Sequence, residues 1–111
     1  MSRWGILAVI LAVAAIVFPV LTRAAGEPAT AEIKIDNFSF APQTVTVAPG
    51  TKVTWTNSDD IPHTVVSDDK TTFKSPALDT DEKFSVTFSK PGTYSYFCSI
   101  HPKMTAKIVV Q

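Results

Sequence analysis

The chain has 111 residues, ten basic and ten acidic side chains, a formal net charge of zero and 45% hydrophobic residues. That length holds one domain, and dispersed lysines with no basic patch interleaved with aromatics exclude a nucleic-acid binder. A single cysteine, Cys98, excludes an internal disulfide.

Residues 1–25 have the pattern of a signal peptide: Ser2 and Arg3 precede an uncharged apolar run from Trp4 to Thr22, and Arg23-Ala24-Ala25-Gly26 restores polar and small residues. Thr22-Arg23-Ala24, Ala24-Ala25-Gly26 and Ala29-Thr30-Ala31 each offer small residues for cleavage, so its position stays open. Roughly 18 apolar residues can also just cross a bilayer. Residues 4–22 are therefore alternatively an uncleaved membrane anchor. In either case the basic start stays cytoplasmic and the remainder is exported, which places it in a periplasmic space. Loss of residues 1–24 removes Arg3 and Arg23 and leaves eight basic against ten acidic side chains, a formal charge of −2.

Residues 26–31 form a short polar linker, and from Glu32 onward the hydrophobic period is two. Ile33 with Ile35, Val45 with Val47, Val53 with Trp55, Phe84 with Val86 and Phe88, Tyr94 with Tyr96, and Ile108 with Val110 alternate with polar residues. This is the pattern of half-buried strands. Turn signals separate them at Ala41-Pro42, Pro49-Gly50, Asn57 to Asp60, Ser67 to Lys70, Ser75-Pro76 and Pro91-Gly92. Seven or eight short strands over residues 32–111 predict an all-β, Greek-key β-sandwich. Helix is expected at most as one turn, near Ser75 to Asp79, and His63 is expected to open a strand after Pro62.

The chemistry is concentrated in Cys98-Ser99-Ile100-His101-Pro102-Lys103-Met104, which sets a thiol, an imidazole and a thioether at positions 1, 4 and 7 of one segment. Alternation puts Tyr94, Tyr96 and Cys98 on one face of a strand, so Cys98 points inward at its end. The second histidine, His63, lies upstream, and the two imidazoles, thiolate and thioether together are the donor set of a blue-copper electron-transfer centre. In an oxidising compartment a bound metal would also protect the lone thiol. Taken singly, His63 and His101 fit solvated or hydrogen-bonded histidines, and Cys98 and Met104 fit core packing. Two imidazoles and a thiolate also suit zinc, although methionine is an unusual zinc ligand. Asp59-Asp60 and Asp68-Asp69 lie in turn sequences and read as solvated turn formers rather than catalytic carboxylates.

These residues resemble the cupredoxins, the small blue copper proteins, and among them the amicyanin group. The resemblance is carried by Val53-Thr54-Trp55-Thr56-Asn57, Pro62-His63, Pro91-Gly92-Thr93-Tyr94-Ser95-Tyr96 and the Cys98-x2-His101-x2-Met104 spacing. It implies that His63, Cys98 and His101 are equatorial copper ligands and Met104 the weak axial one. It also implies that the Thr64 N–H donates to the Cys98 sulfur, and that Asn57 and Ser99 brace the two ligand segments. Thr64 stands where amicyanins usually carry asparagine, which removes one expected brace. Electrons would pass at the His101 edge through an apolar patch of Ile61, Pro62, Ile100 and Pro102. Ile100 and Lys103 depart from the family's proline and phenylalanine, so methylamine dehydrogenase is not carried over as the partner.

The implied role is a monomeric one-electron carrier between a donor dehydrogenase or cytochrome and an acceptor cytochrome or oxidase. The alternative is a copper-binding module for storage, delivery or resistance. A copper oxidase or reductase is not expected, because one mononuclear site has no second centre for multi-electron chemistry. On a short exposed loop, His101 would also exchange reduced copper for a proton in acid.

Overall fold

The computed structural model describes residues 29–111. The expected leader over residues 1–25 and residues 26–28 of the linker lie outside the described residues. No helix among the described residues is long and apolar enough to cross a membrane.

The period-two segments become eight strands: β1 (Thr30–Asp36), β2 (Ser39–Ala41), β3 (Thr44–Val47), β4 (Thr51–Asn57), β5 (Val66–Ser67), β6 (Lys83–Phe88), β7 (Gly92–Phe97) and β8 (Thr105–Val110). They form two four-stranded sheets, ordered β2-β1-β4-β6 and β3-β8-β7-β5. Both sheets are mixed: β1 runs parallel to β4 and β3 parallel to β8, while the remaining pairs are antiparallel. The chain passes from one sheet to the other after β2, β3, β4, β5 and β6, giving the expected sandwich.

Inward-facing alternate residues meet between the sheets. Ile33, Ile35, Val53, Trp55, Tyr96 and Ile108 are at most 1% exposed. Trp55 packs against Phe73, Phe88 and Tyr96 with ring centroids 5.4–6.4 Å apart, separations at which each aromatic pair adds about 0.5–1.5 kcal/mol beyond its buried area. Burial of the two polar aromatics is compensated, because the Trp55 indole Nε1–H donates to the Tyr96 hydroxyl at 3.1 Å.

Three local expectations change. The first strand begins at Thr30, two residues before the alternation becomes visible, because Thr30 pairs with Lys52 and the Ala29 carbonyl accepts the Lys52 N–H. His63 does not open a strand but forms an isolated bridge with Leu78. The same bridge replaces the expected helical turn near Ser75 to Asp79: Leu78 N–H donates to the His63 carbonyl, His63 N–H to the Leu78 carbonyl, and Ser75 N–H to the Val65 carbonyl. Backbone groups engaged in this way have none left for a helical turn.

The β1–β2 connection is a two-residue hairpin loop, since Asp36 pairs with Ser39. Its two residues, Asn37 and Phe38, both have positive φ, 51° and 56°. Such a turn matches strand twist but normally carries glycine at its second position. An aromatic residue held there costs on the order of 1–3 kcal/mol.

Candidate metal centre

Cys98 lies one residue beyond β7 and continues its inward face, fully buried below Tyr96. The segment that follows curls back on itself. Met104 N–H donates to the His101 carbonyl at 2.9 Å, and Cys98 N–H donates to the Met104 carbonyl at 3.0 Å, so Met104 returns beside Cys98 as β8 begins. His63 approaches from the other side, on the β4–β5 connection, held by its bridge to Leu78.

The donor atoms of His63, Cys98 and His101 lie within 4.8 Å of one another. Both imidazoles turn Nδ1 toward the sulfur, at 3.7 Å for His63 and 3.8 Å for His101, with the rings 5.0 Å apart. His63 and Cys98 are fully buried, Met104 is buried, and His101 is half-buried. Segments up to 41 residues apart therefore bring the donors of His63, Cys98 and His101 to one end of the sandwich, with Met104 held beside Cys98 through its backbone carbonyl. A soft thiolate with two imidazoles and a neighbouring thioether suits a copper ion.

Residues 7–110 match the family of cupredoxin-like domains. The chain belongs to the cupredoxin family. It is most like the amicyanins: it is 38% identical to amicyanin-alpha of Methylorubrum extorquens over 87 residues, covering 72% of this chain and 71% of that protein. Amicyanin of Paracoccus versutus is 33% identical, over 79% of this chain and 70% of its own. Among solved structures, a purple cupredoxin from Nitrosopumilus maritimus superposes with a TM-score of 0.70 at 34% identity, covering 73% of this chain and 99% of that one. The copper-containing nitrite reductase of Thermus scotoductus superposes with a TM-score of 0.71 at 32% identity, over 80% of this chain but only 25% of the reductase.

Around the donors, this cupredoxin satisfies each polar group. Burial pushes the Cys98 thiol up, but the polar groups that face the sulfur, the Thr64 N–H at 3.4 Å first among them, outweigh it and lower the thiol from 9.0 to about 6. A thiol in that range is largely thiolate at neutral pH, the form that binds metal.

The Thr64 hydroxyl accepts the Ser99 N–H at 2.7 Å and shares a second hydrogen bond with the Ser99 hydroxyl at 2.7 Å. Threonine at this position therefore supplies a brace between the ligand segments, contrary to the expected loss. Asn57 braces only the His63 side: its Nδ2 donates to the Ile61 and Leu78 carbonyls, and its Oδ1 accepts the Asp59 N–H.

Asp59 is not the solvated turn former its sequence context suggested. Its Oδ1 accepts the Asn37 N–H at 2.6 Å, and its Oδ2 accepts the Phe38 N–H at 2.9 Å and lies 2.7 Å from His63 Nε2. Burial raises this carboxyl, but the two backbone donors and His63 outweigh it and hold it below the ordinary carboxylate range. Asp69, by contrast, fulfils the turn role, accepting from Ser67, Thr71 and Thr72.

Phe38 is a second residue that sequence reasoning missed. Half exposed, it sits edge-on to both ligand histidines, with centroids 5.6 Å from His63 and 5.1 Å from His101. Pro62, Ile100 and Pro102 are exposed as expected of an apolar rim, Ile61 is half-buried, and Lys103 is exposed among them.

Proposed function

We propose that this cupredoxin carries single electrons, with one copper ion held by His63, Cys98 and His101 and, more weakly, by Met104. The convergence of two imidazole Nδ1 atoms on one buried cysteine sulfur carries this reading. Bound there, copper supplies a one-electron couple between Cu(I) and Cu(II).

The remaining residues keep the donors still. Cys98 continues β7, Met104 precedes β8, the loop between them closes on its own backbone, and the Thr64–Ser99 pair ties that loop to His63. Donors that move little between oxidation states keep the reorganisation barrier low. His101 is the one half-buried imidazole, so its edge is the route for electrons, bordered by Pro62, Ile100, Pro102 and Phe38. Lys103 beside it favours partners with acidic residues around their own exit site, through steering at the rim. Those partners are a donor dehydrogenase or cytochrome and an acceptor cytochrome or oxidase. The carrier works as an exported, periplasmic monomer, either free after cleavage of residues 1–25 or tethered through residues 4–22. It is not an enzyme, because its single centre exchanges one electron at a time.

The test sets electron exchange against copper exchange. Rapid electron self-exchange, read from NMR line broadening in mixed Cu(I) and Cu(II) samples, with copper release many times slower, supports the carrier. Ready transfer of copper to a chelating acceptor protein, with slow self-exchange, would make it a copper-delivery module instead.

A further inference from the structure

Three donors meet at Asp59. The backbone N–H groups of Asn37 and Phe38 and the Nε2 edge of His63 all face its two carboxylate oxygens, at 2.6, 2.9 and 2.7 Å. An ionised carboxylate has only acceptors to offer. The nitrogen of His63 that faces it is therefore the one that carries the proton, and Nδ1, facing Cys98, is left with its lone pair free. The two backbone donors belong to the hairpin loop whose positive φ values favour glycine, and Phe38 of that loop is edge-on to both imidazoles. The imidazole setting and the aromatic placement thus share one anchor, 22 residues away in sequence from Asn37.

We propose that Asp59 is a positioning residue of the metal centre: it accepts the hydrogen bond of His63 Nε2–H, so that Nδ1 faces the other donors bare, and it holds Phe38 edge-on to both ligand histidines. Its importance for copper rests on the reading of the site given above; its effect on the imidazole does not require metal. A carboxylate behind a ligand histidine fixes the tautomer and raises ligand basicity, and losing such a partner typically weakens metal binding about 10–100-fold.

Asp59→Asn is nearly isosteric and changes only the hydrogen-bonding capacity. An amide brings one oxygen and one NH2 group to a place where three donors converge. If its oxygen takes the Oδ1 place it serves the Asn37 N–H, while its NH2 faces the Phe38 N–H and His63 Nε2 and converts that nitrogen into an acceptor. The proton then moves to Nδ1, the nitrogen the metal needs. If the amide turns over, its NH2 meets the Asn37 N–H, and the hairpin loop, deprived of that acceptor, shifts Phe38 off the histidines.

Long-range proton–nitrogen NMR on the copper-free protein, in mildly alkaline buffer, reads the tautomer directly. The wild type is expected to carry the His63 proton on Nε2, protected from exchange; a wild-type His63 protonated on Nδ1 overturns the proposal whether or not any variant folds. In Asp59→Asn the expected result is an Nδ1–H population or loss of the Phe38 contacts to His63 and His101, together with a Cu(I) affinity lowered about 10–100-fold. Asp60→Asn, at the neighbouring exposed carboxylate, is expected to leave both readouts unchanged. An Asp59→Asn protein with the wild-type tautomer and an affinity within about twofold of wild type would refute the assignment, because the supporting carboxylate would then lack the effect expected of it. Should the wild type itself fail to bind copper through Cys98, the copper reading falls while the tautomer result still decides the role of Asp59.

Discussion

Thr64→Val removes one hydroxyl and little else, because valine replaces the oxygen with a methyl of similar size in a buried position. That oxygen accepts the Ser99 N–H at 2.7 Å and pairs with the Ser99 hydroxyl at 2.7 Å. It also lies 3.8 Å from Cys98 Sγ, the long limit for an O–H···S contact. The Thr64 backbone N–H to the same sulfur, at 3.4 Å, is left intact. Ser99 itself is exposed, so its hydroxyl can turn to water, whereas its N–H loses an acceptor within the site. The loss of that acceptor costs about 1–3 kcal/mol. Taking about 2 kcal/mol, a domain of this size melts roughly 10 °C lower. Differential scanning calorimetry of the copper-free protein measures this without interference from metal binding. In the copper-loaded protein the potential falls as well, because a thiolate with one donor fewer favours Cu(II). A full hydrogen bond of about 1 kcal/mol corresponds to about 40 mV for one electron, and the long contact here gives less. A Thr64→Val protein that melts within about 2 °C of wild type would refute the brace, since even the low end of the hydrogen-bond cost moves the midpoint further.

Further predictions concern the thiol, the core and the exposed ligand. The folded Cys98 thiol lies at about 6, below its ordinary 9.0, so its contribution to the copper-free protein is complete above the unfolded value and is lost as pH falls through about 6. Urea titrations of the copper-free protein should gain up to about 4 kcal/mol of stability from mildly acidic to alkaline buffer, and Cys98→Ala should flatten that slope; a slope unchanged by the substitution would reject it. Tyr96→Phe strands the buried Trp55 N–H and should cost about 1–3 kcal/mol in the same assay. Burial also raises the Tyr96 hydroxyl well above the ordinary tyrosine range, so its ultraviolet ionisation signal should appear only as the domain unfolds in alkali. Acid should slow oxidation of the reduced, copper-loaded protein by releasing His101 from the metal, while the larger burial of His63 protects it; stopped-flow rates independent of pH into mildly acidic buffer would argue against this.

Alternation made the fold legible. Ile33 and Ile35, Val53 and Trp55, Tyr94 and Tyr96, and Ile108 and Val110 each mark a strand with one buried face, and that pattern is local. It fails where the chain crosses between sheets: His63 to Ser67 are all buried, so no alternation remains, and β5 shrinks to two residues. The site was legible through donor identity and spacing, because a lone thiol with histidine and methionine three and six residues on is an unusual combination. Its surroundings were not. Asp59 has the local context of any turn aspartate, and its role depends on Asn37 and Phe38, which fold back from another hairpin. Phe38 reaches both histidines only because that loop takes two consecutive positive φ angles, which Asn-Phe does not announce as Asn-Gly would. The Thr64 hydroxyl faces Ser99 across 35 residues, so only the assembled sandwich reveals that threonine supplies the brace.

The visible spectrum of the protein loaded with one equivalent of Cu(II) tests the central claim most directly. Copper bound by the Cys98 thiolate with His63 and His101 gives an intense thiolate-to-copper charge-transfer band that bleaches on reduction and is absent from Cys98→Ala. A colourless copper-loaded protein, or a band that survives in Cys98→Ala, would contradict it.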